Sequence, residues 1–89
     1  MATLFVRHRV GDFIAWKRVY DEFDAQRRSM GVTSQGVYQA EGDPTDVTVY
    51  HEFSTASEAK AFTESPELRD AMQRAGVQGT PDVWVTNRV

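Results

Sequence analysis

The chain contains no cysteine, which excludes disulfides and thiolate metal sites and leaves packing or association as the source of stability. No apolar run approaches the roughly 18 residues that span a bilayer, and no basic segment followed by an apolar stretch opens the chain. The expectation is a cytoplasmic protein with no membrane partner. Positive charge is scarce as well: 10 Lys and Arg stand against 13 Asp and Glu, for a net charge of −3. A phosphate backbone is normally met by a clustered basic face, whereas Arg7 and Arg9 alternate along one predicted strand and Arg27, Arg28, Arg69 and Arg74 are scattered among acids. No nucleic-acid partner is expected. The two histidines are far apart and have no carboxylate at ligand spacing, so they do not make a three-ligand metal site. Gly76-Val77-Gln78-Gly79 lacks the lysine and helix of a phosphate loop. No Ser–His–Asp arrangement is supported, and no metal or cofactor is expected.

What remains is a chain of 89 residues with 40% hydrophobic content, enough to fold as one domain over residues 1–89 with a modest core. Ala2 to Val10 alternates as a strand. Gly11 closes it and Asp12 is placed to cap a helix running to about Met30, along which Phe13, Trp16, Tyr20, Phe23, Arg27 and Met30 repeat at spacings of three and four. Gly31 suits the position that ends it. Val32 to Ala40 and Val47 to Phe53 alternate as strands joined by a long turn over Gly42-Asp43-Pro44-Thr45-Asp46. Thr55 and Glu58 have capping-box spacing at the start of a second helix, which Ser65-Pro66 restarts and Gly76 ends. Asp82 to Arg88 is a last alternating strand. The order βαββαβ, with right-handed crossovers, predicts an α+β, ferredoxin-like domain: a four-stranded antiparallel sheet in the order 4-1-3-2 with the helices on one face.

Alternation sorts the strand residues into two faces. Leu4, Val6, His8, Val47, Val49, His51, Phe53, Val83, Val85 and Asn87 form a mostly aliphatic set that belongs under the helices. Phe5, Arg7, Arg9, Thr48, Tyr50, Glu52, Trp84, Thr86 and Arg88 form the other set. Large aromatics mixed with Arg on a helix-free face resemble a protein interface, so a homodimer joined through Phe5, Tyr50 and Trp84 is expected.

His8, His51 and Asn87 are polar residues in the aliphatic set, and burying such a group without a partner costs about 1–3 kcal/mol. Each taken singly is expected to bond to backbone or water near a strand end; the functional alternative is that they line a pocket between sheet and helices. His51 and Asn87 fall at the same end of the sheet, two strands or roughly 10 Å apart, a spacing suited to holding one small molecule from two sides; His8 is harder to bring into that site. Trp16 and Tyr20 on the first helix, with Tyr38 approaching from the second strand, supply walls with polar atoms. Phe13 and Phe23 read as core. Arg27 continues the stripe and is expected to snorkel to solvent, with contact to an anionic ligand group as the alternative.

The stretch Val49-Tyr50-His51-Glu52-Phe53, followed by Ser57-Glu58-Ala59 and Ser65-Pro66-Glu67-Leu68, resembles the strand-to-helix region of antibiotic-biosynthesis-monooxygenase domains. Phe5-Val6-Arg7-His8, Phe13 to Trp16 and Ala75-Gly76-Val77 resemble other members of that dimeric α+β barrel group, so the similarity spans nearly the whole chain. The resemblance implies a dimeric α+β barrel, a site between sheet and helices, and chemistry among that of cofactor-independent oxygenases, haem-degrading enzymes, polyketide cyclases and isomerases. Where many monooxygenase members carry a tryptophan at the strand end and a histidine in the next helix, this chain has Phe53 and Phe62. The aromatic shape persists without the polar handles.

The expectation is a cofactor-independent enzyme acting on a small polyketide-like or aromatic metabolite by cyclase- or isomerase-like proton chemistry. His51 and His8 are the candidate acid–base groups, and Trp16, Tyr20, Tyr38, Asn87, Phe53 and Phe62 the candidate binding residues. An imidazole that ionises near neutral pH can accept and return a proton. A cofactor-free monooxygenase and a non-catalytic metabolite-binding dimer are the alternatives.

Overall fold

A computed structural model describes residues 1–89. The chain runs β1 (Ala2–Val10), α1 (Phe13–Glu22), α2 (Asp24–Ser29), β2 (Ser34–Ala40), β3 (Asp43–Phe53), α3 (Ala56–Thr63), α4 (Pro66–Arg74) and β4 (Val77–Asn87). The strands form one antiparallel sheet in the order β2-β3-β1-β4, which is the predicted ferredoxin-like arrangement. No helix is long and apolar enough to cross a membrane.

The local signals explain where most helices begin. The Asp12 carboxylate accepts from the amides of Ile14 and Ala15 at the start of α1. The Thr55 hydroxyl accepts from Glu58 N at 3.2 Å, and the Ser65 hydroxyl accepts from Leu68 N, with Pro66 occupying the first turn where its missing amide is not needed. Gly31, at φ 107°, takes the left-handed conformation that ends α2.

Three expectations are corrected. The predicted helix from Asp12 to Met30 is two helices, interrupted at Phe23 (φ −83°, ψ 0°). The interruption frees the carbonyl of Tyr20, which accepts from the Arg27 guanidinium as well as from Phe23 N. The turn between β2 and β3 is tight rather than long: Ala40 pairs with Asp43 across Glu41-Gly42, and a bulge follows, because Gln39 pairs with Val47. Pro44 is therefore strand-borne at a bulge, where its missing donor does no harm. Strand β4 begins at Val77, not Asp82, with a register shift where Arg7 pairs with Asp82 and Arg9 with Gln78; Gly79, at φ 68°, lies in that irregularity.

The core fills the space between sheet and helices. Leu4, Val6, Val10, Val47, Val49 and Phe53 from the sheet pack against Trp16, Phe23, Ala59, Phe62, Ala71 and Ala75 from the helices. The face assignment holds for β1 and β3 but weakens on β4, where Val83 is 43% exposed and Asn87 is also exposed. This edge strand, displaced by its bulge, is not fully roofed by the helices. On the open face, Phe5 stacks on Trp84 with ring centroids 5.5 Å apart, and Tyr38 stacks on Tyr50 at 6.2 Å. A band of aromatics thus crosses all four strands.

Candidate active site

The stripe on α1 and α2 builds one wall of a cavity. Successive inward residues at helical spacing stack on each other: Trp16 lies 5.7 Å from Phe13 and 4.9 Å from Tyr20, centroid to centroid. The Arg27 guanidinium then covers the other side of the Tyr20 ring at 3.7 Å, a cation–π contact in a site where water competes little. Strands β1 and β3 supply the floor with Val6, His8, Val49 and His51, and Phe62 from α3 closes one side. The fourth wall is α4, whose Leu68, Ala71, Met72 and Ala75 face inward at spacings of i, i+3, i+4 and i+7. The free volume is about 50 Å³, and at roughly 10–15 Å³ per water on this scale it holds a few waters and no large ligand.

His51 and Tyr20 are joined directly, with His51 Nε2 and Tyr20 Oη 3.0 Å apart. The other ring nitrogen, His51 Nδ1, is buried with no partner in the chain, and so are both ring nitrogens of His8. Three polar atoms around one apolar cavity are unmatched, at a cost of about 1–3 kcal/mol each unless something enters to meet them. Burial, helped by the nearby Arg27 cation, pushes His51 down to about 4. Burial also lowers His8, although Asp46 opposes the effect. Burial raises the Tyr20 phenol to about 12 against the pull of Arg27. At neutral pH the cavity therefore presents two uncharged imidazoles, one un-ionised phenol and a single cation.

That cation is fixed. Arg27 is 2% exposed; Nε donates to Gln35 Oε1 at 2.7 Å, one terminal nitrogen donates to the Tyr20 carbonyl, and the other donates to Asp24 at 3.3 Å. Gln35 in turn donates to Asp24 at 2.9 Å. The expectation that Arg27 snorkels is thus overturned, because acceptors from α1, α2 and β2 converge on it inside the fold. Sequence spacing placed Arg27 on the stripe but gave no sign of those three acceptors.

The predicted residues divide. His8, His51, Trp16, Tyr20 and Phe62 line the cavity. His8 and His51 share it from opposite ends: His8 pairs with Val47 and His51 with Leu4, which puts their backbones roughly 14 Å apart at 3.3 Å per residue along the strand. Trp16 and Tyr20 bridge them, with Trp16 5.4 Å from His8 and Tyr20 6.0 Å from His51. Phe23, read as core, also lines the space. Phe53 is buried behind Phe62 at 5.5 Å and does not reach the cavity. Tyr38 is on the wrong face: it pairs with Thr48, stacks on Tyr50 and is 61% exposed. Asn87 is exposed at the end of the edge strand and lines no part of the cavity. The α4 wall was missed, although its spacing was there to be read. No group of three or more His, Cys, Asp or Glu side chains is placed to hold a metal ion.

No family model matches the chain, and no curated protein matches it. Solved structures do. An inferred antibiotic biosynthesis monooxygenase from Bordetella bronchiseptica superposes with a TM-score of 0.84 at 12% identity, covering 99% of this chain and 96% of that one. A second, from Nitrosomonas europaea, gives 0.78 at 18% identity, covering 100% and 99%. SnoaB, a cofactor-independent oxygenase from Streptomyces nogalater, gives 0.75 at 10% identity, covering 99% and 94%. At such low identity the likeness speaks for architecture alone: the chain has the fold of the antibiotic biosynthesis monooxygenases.

Proposed function

We propose that the protein is a cofactor-independent enzyme that moves a proton on a small phenolic or enolisable aromatic molecule held between the sheet and the helices. The observation that carries this reading is the set of three unpartnered, buried ring nitrogens on His8 and His51 around one apolar cavity. A flat ring suits walls made of Trp16, Tyr20 and Phe62, and its hydroxyl or carbonyl would meet the imidazoles.

His51 is the proposed catalytic base. When its Nε2–H donates to Tyr20 Oη, the Nδ1 lone pair is free to accept a proton from the ligand; when Tyr20 donates instead, Nδ1 carries the hydrogen and can return it. The Tyr20–His51 pair thus serves both halves of an enolisation or ring closure. Arg27, close enough to depress His51, favours the anion that proton removal creates. His8 binds the far end of the ligand. The aromatic band on the open face, with Phe5, Tyr50 and Trp84 at its centre, is the surface through which two copies pair.

The test is exchange of acidic C–H protons of aromatic β-dicarbonyl compounds with deuterated water, followed by NMR. Acceleration by the protein, lost in His51→Gln, is expected; no acceleration with any such compound would count against proton transfer. A second reading has separate support. The cavity walls are largely apolar, which suits dioxygen, and one protein of the same fold is a cofactor-independent oxygenase. Oxygen uptake measured alongside the exchange separates oxygenation from cyclisation or isomerisation.

A further inference from the structure

A second depression lies against the outside of the cavity. It is lined by Val6, Thr63, Leu68, Arg69, Met72, Pro81 and Val83, between α4 and β4, and has a free volume of about 230 Å³. Three of its residues, Val6, Leu68 and Met72, also line the inner cavity. The two spaces are therefore divided by a partition one side chain thick, and two of its three members are half-buried, unbranched or γ-branched side chains on a nine-residue helix. Only Ala71 of that helix is fully buried. Methionine in particular changes rotamer at little cost.

The volumes matter. The inner space, at about 50 Å³, is less than a quarter of the outer one and well below the roughly 150 Å³ of a cavity that holds benzene, so a ring enters it only as the half-buried Leu68 and Met72 side chains move aside. The outer groove is largely apolar, and Val83 on the β4 side of it is 43% exposed. We infer that the outer groove is the second compartment of the same binding site, taking an apolar arm of a ligand whose ring sits in the inner cavity, with Leu68 and Met72 as the shutter between them. This rests on the proposed aromatic-ligand reading and narrows it to two-part molecules, a ring bearing an apolar chain or further fused ring.

Burying one methylene fully is worth about fourfold in affinity, from 0.8 kcal/mol per group; a half-covered groove returns about twofold. Binding of p-cresol and 4-pentylphenol to the whole protein can be followed through the fluorescence of Trp16, which lines the inner cavity, in a Trp84→Phe background that removes the other tryptophan. Four extra methylenes should then tighten binding on the order of tenfold. Val83→Glu, on an exposed position away from the inner cavity, should abolish that gain and leave p-cresol unchanged. If p-cresol binds and the chain adds nothing, or the gain survives Val83→Glu, the groove proposal is overturned while the inner site stands. If neither phenol binds, the aromatic-ligand reading falls and takes the groove with it.

Discussion

His51 makes the fold sensitive to mild acid in a way that can be calculated. Its imidazole ionises at about 6.5 in an unfolded chain and at about 4 in the folded protein, where burial and the Arg27 cation oppose the charged form. Between those values the unfolded state binds more protons than the folded one. The contribution is thus fully present above about pH 6.5 and is lost as pH falls toward 4. The whole loss is roughly 3 kcal/mol, and about 2 kcal/mol of it has gone by pH 5. His8, also lowered by burial, adds a loss of the same sign. Carboxylates act elsewhere. Asp43 is held down to about 2 by Thr45 and Arg9, and Asp46 and Asp24 are lowered below 3.8 by hydrogen bonds from Arg7 and Gln35. Their contributions are present above that value and fail only in stronger acid.

Urea unfolding at pH 7.5 and pH 5, at one protein concentration, isolates the imidazoles. The wild-type protein should lose about 2 kcal/mol or more between the two. His51→Phe retains a ring beside Phe62 but strands the Tyr20 hydroxyl, so it should be less stable than the wild type by about 1–2 kcal/mol at pH 7.5 and no less stable than it at pH 5. Its loss between them should shrink by about 2 kcal/mol. Equal pH dependence in the two proteins, or a His51 imidazole resonance titrating near 6.5 by NMR, would refute the burial argument.

Two further outcomes follow from the open face. A Cβ on Gly36 would overlap the Tyr50 ring at Cε2, so Gly36→Ala should cost about 1–3 kcal/mol in thermal or urea unfolding by forcing the ring aside; the same cost in a Tyr50→Ser background would show that the ring is not the cause. Trp84→Asp should leave the far-ultraviolet circular dichroism intact while converting the protein to a monomer in sedimentation, and a variant sedimenting like wild type would remove Trp84 from the pairing surface.

The strands were legible because each shows clear period-two alternation, and the caps because Asp12, Thr55 and Ser65 stand where helix amides need acceptors. Tyr38 was misplaced for a local reason. The register of β2 depends on the turn, and Gly42-Asp43-Pro44-Thr45-Asp46 contains five turn-forming residues of which only Gly42 is in the turn itself. The bulge absorbs the rest and fixes Tyr38 opposite Thr48 on the open face. Asn87 had the right parity but lies on an edge strand beyond the helices, and parity does not reveal how far a helix reaches. Arg27 was misread for a nonlocal reason: its acceptors are a carbonyl released by a helix break, a glutamine on β2 and an aspartate one turn back. None of those is visible as a pattern in the chain.

The buried Arg27 also decides how the site should treat an acidic ligand, because two effects there oppose each other. An apolar cavity raises the pKa of any phenol that enters it, as it does for Tyr20, pushed up to about 12. A fixed cation lowers it. Tyr20 shows burial winning when the guanidinium lies over the face of the ring. A ligand hydroxyl beside His51 differs in having a base to take its proton, and the phenolate so formed would offset the Arg27 charge that adds to burial in holding His51 at about 4. Imidazolium and phenolate therefore stabilise each other, and His51 is a stronger base when the site is occupied than when it is empty. p-Nitrophenol reports this directly, since only its anion is yellow. Bound to the wild-type protein it should ionise at lower pH than in water, and in Arg27→Met, checked for folding by circular dichroism, that shift should vanish or reverse. A bound nitrophenol that ionises at higher pH than the free compound would mean that burial prevails at His51 as it does at Tyr20, and would leave His51 without the strength to act as a base.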